Sequence, residues 1–371
     1  MTRDDTITEV RIAKVRVSAR TLWRHVTIAS QAGLVGVGEA TFDAAPPDMD
    51  RRLRRAGDAL VGKTLNQDML TALGALTRGG MADATVFSAL EQALTDLRGQ
   101  HAGRPCFQLL GAGAEARPIA LYANINRKTV SRKAEDFAAN AVQAEREGFR
   151  AVKLAPFDDL TPELAESEAG QRLIAAGLER VATVAGAVSP GTELQVDCHW
   201  RFSPRTAARL VDALAELGVR WLECPLPEAS EAIEHLARIR DQANAAGMRL
   251  AGLENFCGWE AFRPFVAGGC YDVIMPDIKH CGGYRMMLEI AEKAACFGVA
   301  VSPHNPSGPI SHQASVHAAT VLGGQERLEI QWRETPLFES ITNPPACFEK
   351  ATSQAREVPG LGLTLAATGH R

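Results

Sequence analysis

Between residues 119 and 331 the chain repeats one pattern eight times. A short apolar or β-branched run is followed by a longer amphipathic stretch, and few folds accommodate that. The runs are 119–123, 150–154, 193–196, 219–222, 249–253, 271–275, 298–301 and 328–331; helical periodicity is clearest at 131–147, 166–187, 204–217 and 284–297. Strand–helix alternation predicts a parallel sheet, because parallel neighbours need a crossover helix between them. Eight such strands suit a closed α/β barrel of the (β/α)8 type. An open doubly wound sheet is the alternative. No GxGxxG follows the first run, which weakens its dinucleotide-binding version.

The first 118 residues read differently. Runs at 12–17, 22–29 and 34–39, with a turn at Gln31-Ala32-Gly33, predict an antiparallel meander. A helix is predicted over 84–98, with Phe87, Leu90, Leu94 and Leu97 on one face and Asp83 as its N-cap. The expected organisation is an α+β unit over 1–118, the barrel over 119–335, and a tail over 336–371 that packs back on the first unit.

Forty Lys+Arg against 44 Asp+Glu give a formal charge of −4, without the basic excess of a nucleic-acid-binding chain. The charged start, Met1-Thr2-Arg3-Asp4-Asp5, is followed by no apolar core of a signal peptide, and no run is long enough to span a membrane. The eight Cys are scattered without a CxxC pair. They read as reduced, buried thiols of a cytoplasmic protein.

Strand ends carry the functional signal. The third to eighth runs terminate at Asp197, Glu223, Glu254, Asp277, His304 and Glu329. In a β/α barrel such ends converge at the catalytic mouth. Asp197, Glu223 and Glu254, on three neighbouring strands, are hard oxygen donors suited to Mg²⁺. A single such carboxylate would be explained by capping of the following helix; three together are not. A zinc site using Cys198 and Cys224 is the other option. Those thiols directly follow the acids, so alternation turns them toward the helices, whereas His199 returns to the side of Asp197.

The pattern resembles the enolase superfamily, and within it the mandelate racemase subgroup, over nearly the whole chain. The motifs that carry it are Ala89–Leu97 with Leu109-Leu110-Gly111, then Trp221-Leu222-Glu223-Cys224-Pro225-Leu226, Gly252-Leu253-Glu254-Asn255, Met275-Pro276-Asp277 with Gly282-Gly283, and Pro303-His304. The resemblance implies a modified barrel, (β/α)7β, under an N-terminal capping domain completed by the C-terminal tail. It also implies a homo-oligomer acting on a small carboxylate substrate. A Lys or His base beside Mg²⁺ is the established chemistry of this superfamily. By resemblance, Asp197, Glu223 and Glu254 hold Mg²⁺, His304 is the general base supported by Asp277, Lys153 neutralises the substrate carboxylate, and protonated Glu329 donates to it.

One position departs from the family. The second Lys of its Lys-x-Lys strand is Ala155 here, so the usual base on the opposite face is missing. Asp197-Cys198-His199 resembles sugar-acid dehydratases that carry an acid–base His at this point; the alternative is that His199 only binds a substrate hydroxyl. Lys279 reads as supporting, and His280 and His312 as structural. Trp23 and His25, with Arg24, fall where the family's first capping loop covers the mouth. Asn124, Asn126 and Arg201 are candidates for binding substrate hydroxyls or a second carboxylate. The implied reaction removes the proton α to a carboxylate and dehydrates an aldonate or aldarate to a 2-keto-3-deoxy acid. Racemisation, epimerisation or cycloisomerisation through the same enediolate is the alternative, and a barrel kept only for binding the third.

Overall fold

A computed structural model describes residues 5–366 apart from 67–68, 75–78, 112, 114, 323–325 and 347. The chain opens with an antiparallel meander of β1 (Ile7–Arg16), β2 (Leu22–Ser30) and β3 (Val35–Glu39). The meander packs on a long helix, Met81–Ala102. The approach is close because Gly36 and Gly38 present no side chain: a Cβ on either would lie 2.1 Å from a helix carbonyl oxygen, Ala93 or Ala89. Ile7, Val26, Ile28, Leu53, Leu90, Leu94 and Leu97 form the core of this unit.

The helix begins three residues before the expected start. Gly80 is its N-cap residue, and Asp83 lies within the first turn, where it pairs with Arg52 at 2.7 Å rather than capping. The helix is also buried nearly all round. Besides its apolar face it buries Thr85, Ser88, Glu91, Gln92, Thr95 and Asp96.

Eight parallel strands follow: β4 (Pro118–Asn124), β5 (Ala151–Leu154), β6 (Glu193–Asp197), β7 (Trp221–Glu223), β8 (Arg249–Gly252), β9 (Val273–Ile274), β10 (Ala300–Val301) and β11 (Leu328–Gln331). They pair in chain order from β4 to β10, and β11 returns to pair with β4. The gap between β10 and β11 is bridged by Glu326 N–H to the Val301 carbonyl at 2.8 Å and by Ser302 Oγ to the Arg327 carbonyl at 2.7 Å. A helix occupies each of the seven intervals, so the repeat is (β/α)7β. Trp221, Ala251, Val273 and Met275 form a small apolar cluster. The main core joins these strands to the surrounding helices.

The tail touches both units. β13 (Thr352–Gln354; after β12, Thr342–Asn343) pairs antiparallel with β4 of the barrel. Further on, Gly360 accepts the Cys106 N–H at 2.9 Å, and Leu361 N–H donates to Asp96 at 2.8 Å. No helix among the described residues is long and apolar enough to cross a membrane. The seven described Cys are free; Cys296 is exposed, contrary to the expectation of uniformly buried thiols.

Candidate active site

The strand ends that the sequence singled out meet at one mouth. A cavity of about 520 Å³ opens there, lined from the barrel by Asn124, Asn126, Lys153, Asp197, His199, Glu254 and His304 and from the capping unit by Arg20, Phe42, Asp43 and Met81. Glu223, Asp277 and Glu329 lie one layer deeper, fully buried behind this lining.

Lys153 is the hub of the deeper layer. Its ammonium sits 2.7 Å from Glu223 Oε1 and 2.9 Å from Glu329 Oε1, over the Tyr122 ring. Burial works against that charge, but the two carboxylates outweigh it and hold the lysine well above its ordinary range. Trp221 Nε1 donates to Glu223 Oε2 at 2.9 Å. Even so, burial and the neighbouring Asp197, Glu254 and Glu329 push Glu223 up to about 8. Glu254 is raised too, first by burial. Its Oε2 is buried without a hydrogen bond; His304 Nε2 is 3.2 Å away but poorly aligned.

His304 takes its orientation from Asp277, whose Oδ2 is 2.8 Å from Nδ1 and leaves Nε2 to the cavity. Lys279 pairs with the same oxygen and donates its backbone N–H to Oδ1 at 2.8 Å. Burial disfavours the charge on Asp277, yet Lys279, His280 and His304 together hold it well below the usual carboxylate range. For His304 the balance also favours charge. Burial lowers its affinity for a proton, but Glu254, Glu329 and Asp277 raise it to about 9.

His199 follows Asp197 in a left-handed backbone conformation, φ 45°, which brings its Nε2 to 2.7 Å from Asp197 Oδ2. The proximity raises His199 despite burial and lowers Asp197. Both imidazoles therefore border the cavity. Ala155, just past β5, adds no titratable group to Lys153; its carbonyl accepts from Arg132, which also holds Asn126 Oδ1 at 2.7 Å.

Several expectations need correction. Glu329 is surrounded by donors in this structure: Lys153, Asn124 Nδ2 at 2.7 Å and Asn305 N–H at 3.0 Å all face it, and against burial Lys153, His304 and the Asn305 N–H lower it to about 2, which favours an acceptor here over the expected donor. Trp23 and His25 do not reach the cavity. They point into the core from β2, with exposures of 1% and 0%, and the wall expected from them is built by Phe42, Asp43 and Met81 instead. Arg201 turns away to the Leu160 carbonyl at 2.9 Å and lines no part of the cavity. His312 is structural, between Asn305 and Ser353. His280 is held by Thr85 at 2.8 Å and lowered to about 3, chiefly by burial, but its ring also borders the cavity. Reading the sequence alone missed Arg127, which pairs with Asp43 at 2.6 Å across the rim, and Trp200; an Arg or Trp in a loop carries no spacing signal.

The description "Enolase C-terminal domain-like" matches residues 136–368, and "Mandelate racemase / muconate lactonizing enzyme, N-terminal domain" matches 4–111. The chain belongs to the enolase superfamily. Within that superfamily it is 27% identical to a D-xylonate dehydratase of Haloferax volcanii, over 98% of this chain and 87% of that one. It is 29% identical to a D-galactonate dehydratase of Ralstonia nicotianae, over 96% and 91%. Among solved structures, an enolase-superfamily member from Salmonella Typhimurium superposes with a TM-score of 0.86 at 21% identity, covering 98% of this chain and 97% of that one. A mandelate racemase/muconate lactonizing enzyme from Sulfitobacter superposes at 0.84 and 21%, covering 98% and 93%. These two carry the fold alone.

Proposed function

We propose that this protein is a Mg²⁺-dependent acid-sugar dehydratase that converts an aldonate or aldarate to a 2-keto-3-deoxy acid. The single observation that carries the reading is the pair of imidazoles at the cavity, His304 backed by Asp277 and His199 backed by Asp197, with Lys153 at its floor. Elimination of water is assisted when one group takes the α-proton and a second protonates the departing hydroxyl, and two imidazoles border this mouth. The names of the D-xylonate and D-galactonate dehydratases support the same substrate class.

The residues present fit a divalent cation. Asp197, Glu223 and Glu254 supply only hard oxygen, the buried Oε2 of Glu254 has no hydrogen-bond donor, and burial with mutual repulsion raises Glu223 and Glu254. Among the described residues, no three His, Cys, Asp or Glu side chains are grouped closely enough to hold a metal ion as they stand, so the three carboxylates would have to converge on the cation when it binds. When bound, Mg²⁺ would supply Lewis-acid stabilisation of the negative charge that develops on the substrate carboxylate. His304 Nε2 would take the α-proton, with Asp277 fixing its tautomer through Nδ1. As a base it must be free of its proton, so the charge of Glu254, the first of the groups that raise it, would have to be offset by the cation. Lys153 would hold the carboxylate end, and His199 would donate a proton to the leaving hydroxyl. Asn124 and Asn126, which line the cavity, would bind hydroxyls.

The same two imidazoles also suit a second reading, in which His199 reprotonates the opposite face and the enzyme is a racemase or epimerase. Incubation with Mg²⁺ and a library of aldonates and aldarates in D₂O separates the two. A dehydratase forms a keto acid that semicarbazide detects. A racemase loses no water and exchanges the α-proton for deuterium; that outcome without keto acid would reject dehydration.

A further inference from the structure

Three consecutive strand ends at the mouth share a feature that neither the proton-transfer groups nor the carboxylates explain. His199 and Trp200 after β6, Cys224 after β7 and Leu253 after β8 all adopt positive φ, at 45°, 58°, 45° and 69°. None is glycine, so each is in a conformation that L-residues rarely adopt. Each lies within three residues of Asp197, Glu223 or Glu254. Such strain persists only where the surroundings hold it in place.

One side chain touches all three segments. Glu228 lies five residues beyond Glu223 and has no part in the mechanism above. Its Oε1 accepts the Leu253 N–H at 2.7 Å and the Tyr271 hydroxyl at 2.8 Å, and the Cys224 thiol is 3.9 Å away. The Trp200 side chain lies beside the same carboxylate and helps to lower it. Space for this oxygen exists because residue 252 is glycine: a Cβ there would lie 2.5 Å from Oε1. These contacts reach the residue immediately before Glu254, the residue immediately after Glu223, and the residue immediately after His199.

We infer that Glu228 is a positioning residue for the whole cation-binding mouth: it fixes the left-handed turns that aim Glu223, Glu254 and His199 at a common point. The inference rests on the proposed Mg²⁺ site. An outer group that orients metal ligands typically changes affinity or activity by about 10–100-fold when removed.

The test is Mg²⁺ calorimetry on purified wild type, Glu228→Gln and Glu228→Ala, together with amide hydrogen exchange. Glu228→Ala is expected to bind Mg²⁺ at least about tenfold more weakly. Glu228→Gln, which keeps an oxygen acceptor for the Leu253 N–H, is expected to recover much of the loss. Exchange at Leu253 and Cys224 should rise at least about tenfold in Glu228→Ala, while helix Pro204–Glu216 keeps its protection. Tyr271→Phe, which removes one donor and leaves the carboxylate, is the reserve if Glu228→Ala does not fold, and should weaken binding in the same direction by less. Equal Mg²⁺ affinity in wild type and the folded variants would overturn the inference while leaving the metal site standing. If wild type binds no Mg²⁺, the metal reading fails instead. Unchanged exchange at Leu253 and Cys224 would then overturn the positioning role as well.

Discussion

Buried carboxylates occur in two regions of this molecule and meet opposite fates. Along the seam between the capping unit and the barrel, Glu39, Glu91 and Asp96 are satisfied almost entirely by neutral donors. Glu39 accepts the Gly308 and Ser311 N–H groups at 2.9 Å each and so caps helix Pro309–Val321. Glu91 accepts the Tyr284 N–H at 2.8 Å and caps helix Gly283–Ala295. Asp96 ties Val37 of β3 to Leu361 of the tail. Burial therefore wins: Glu91 is pushed up to about 7 and Asp96 to about 6. At the mouth, by contrast, Asp277, Asp197 and Glu329 face Lys279, Lys153, His199 and His304, and cations outweigh burial; Glu223 and Glu254, crowded by the other carboxylates, remain raised.

The difference separates structure from chemistry. A carboxylate whose partners are backbone N–H groups holds two elements together. One whose partners are lysines and histidines belongs to a site where charge is moved. The two capped helices follow β9 and β10, the strands that lead to Asp277 and His304, so the seam also supports the dyad from behind.

The largest expected effect lies at the mouth. His304→Asn should lower turnover and α-proton exchange by about 10³-fold or more, the upper range for loss of a general base, with the fold intact by circular dichroism. Retained exchange in D₂O would move the base elsewhere.

At the seam, the expected effect is on stability and its pH dependence. Glu91 has a folded-state value near 7, above the ordinary 4.5, so the folded state binds the extra proton. Its contribution is fully present below about pH 4.5 and is lost as pH rises through 7. Glu91→Gln, neutral at every pH, should cost stability at pH 4.5 but gain on wild type by on the order of 3 kcal/mol between pH 4.5 and 8. Urea denaturation at the two pH values measures this. A constant difference between the proteins would mean that folding does not raise Glu91, and the comparison would collapse. Smallest is the rim pair. Asp43 is half-exposed, so Asp43→Asn should change stability by no more than about 0.5 kcal/mol in thermal melts despite its 2.6 Å contact with Arg127.

The two regions also differ in how far the sequence reveals them. The barrel strands and the mouth residues are legible because a polar residue closing an apolar run has a fixed meaning in a parallel barrel. The seam is not. Thr85, Ser88, Glu91 and Gln92 follow the same helical spacing as a solvent-facing stripe, and only the docking of loop 278–284 against them makes the stripe buried. Trp23 and His25 were misplaced because β2 runs straight into the core, and the rim is built by residues 42–44 instead. Glu228 gave no signal either: its partners are brought together by turns of positive φ, which break the two-residue alternation used to read strand ends.

The most direct test of the central claim is keto-acid formation and α-proton exchange measured together in His199→Asn, with Mg²⁺ and an aldonate that wild type dehydrates. If His304 takes the proton and His199 releases the hydroxyl, the variant forms no keto acid yet still exchanges the α-proton slowly in D₂O. Dehydration at the wild-type rate in this variant would contradict the account, leaving His304 to perform both steps.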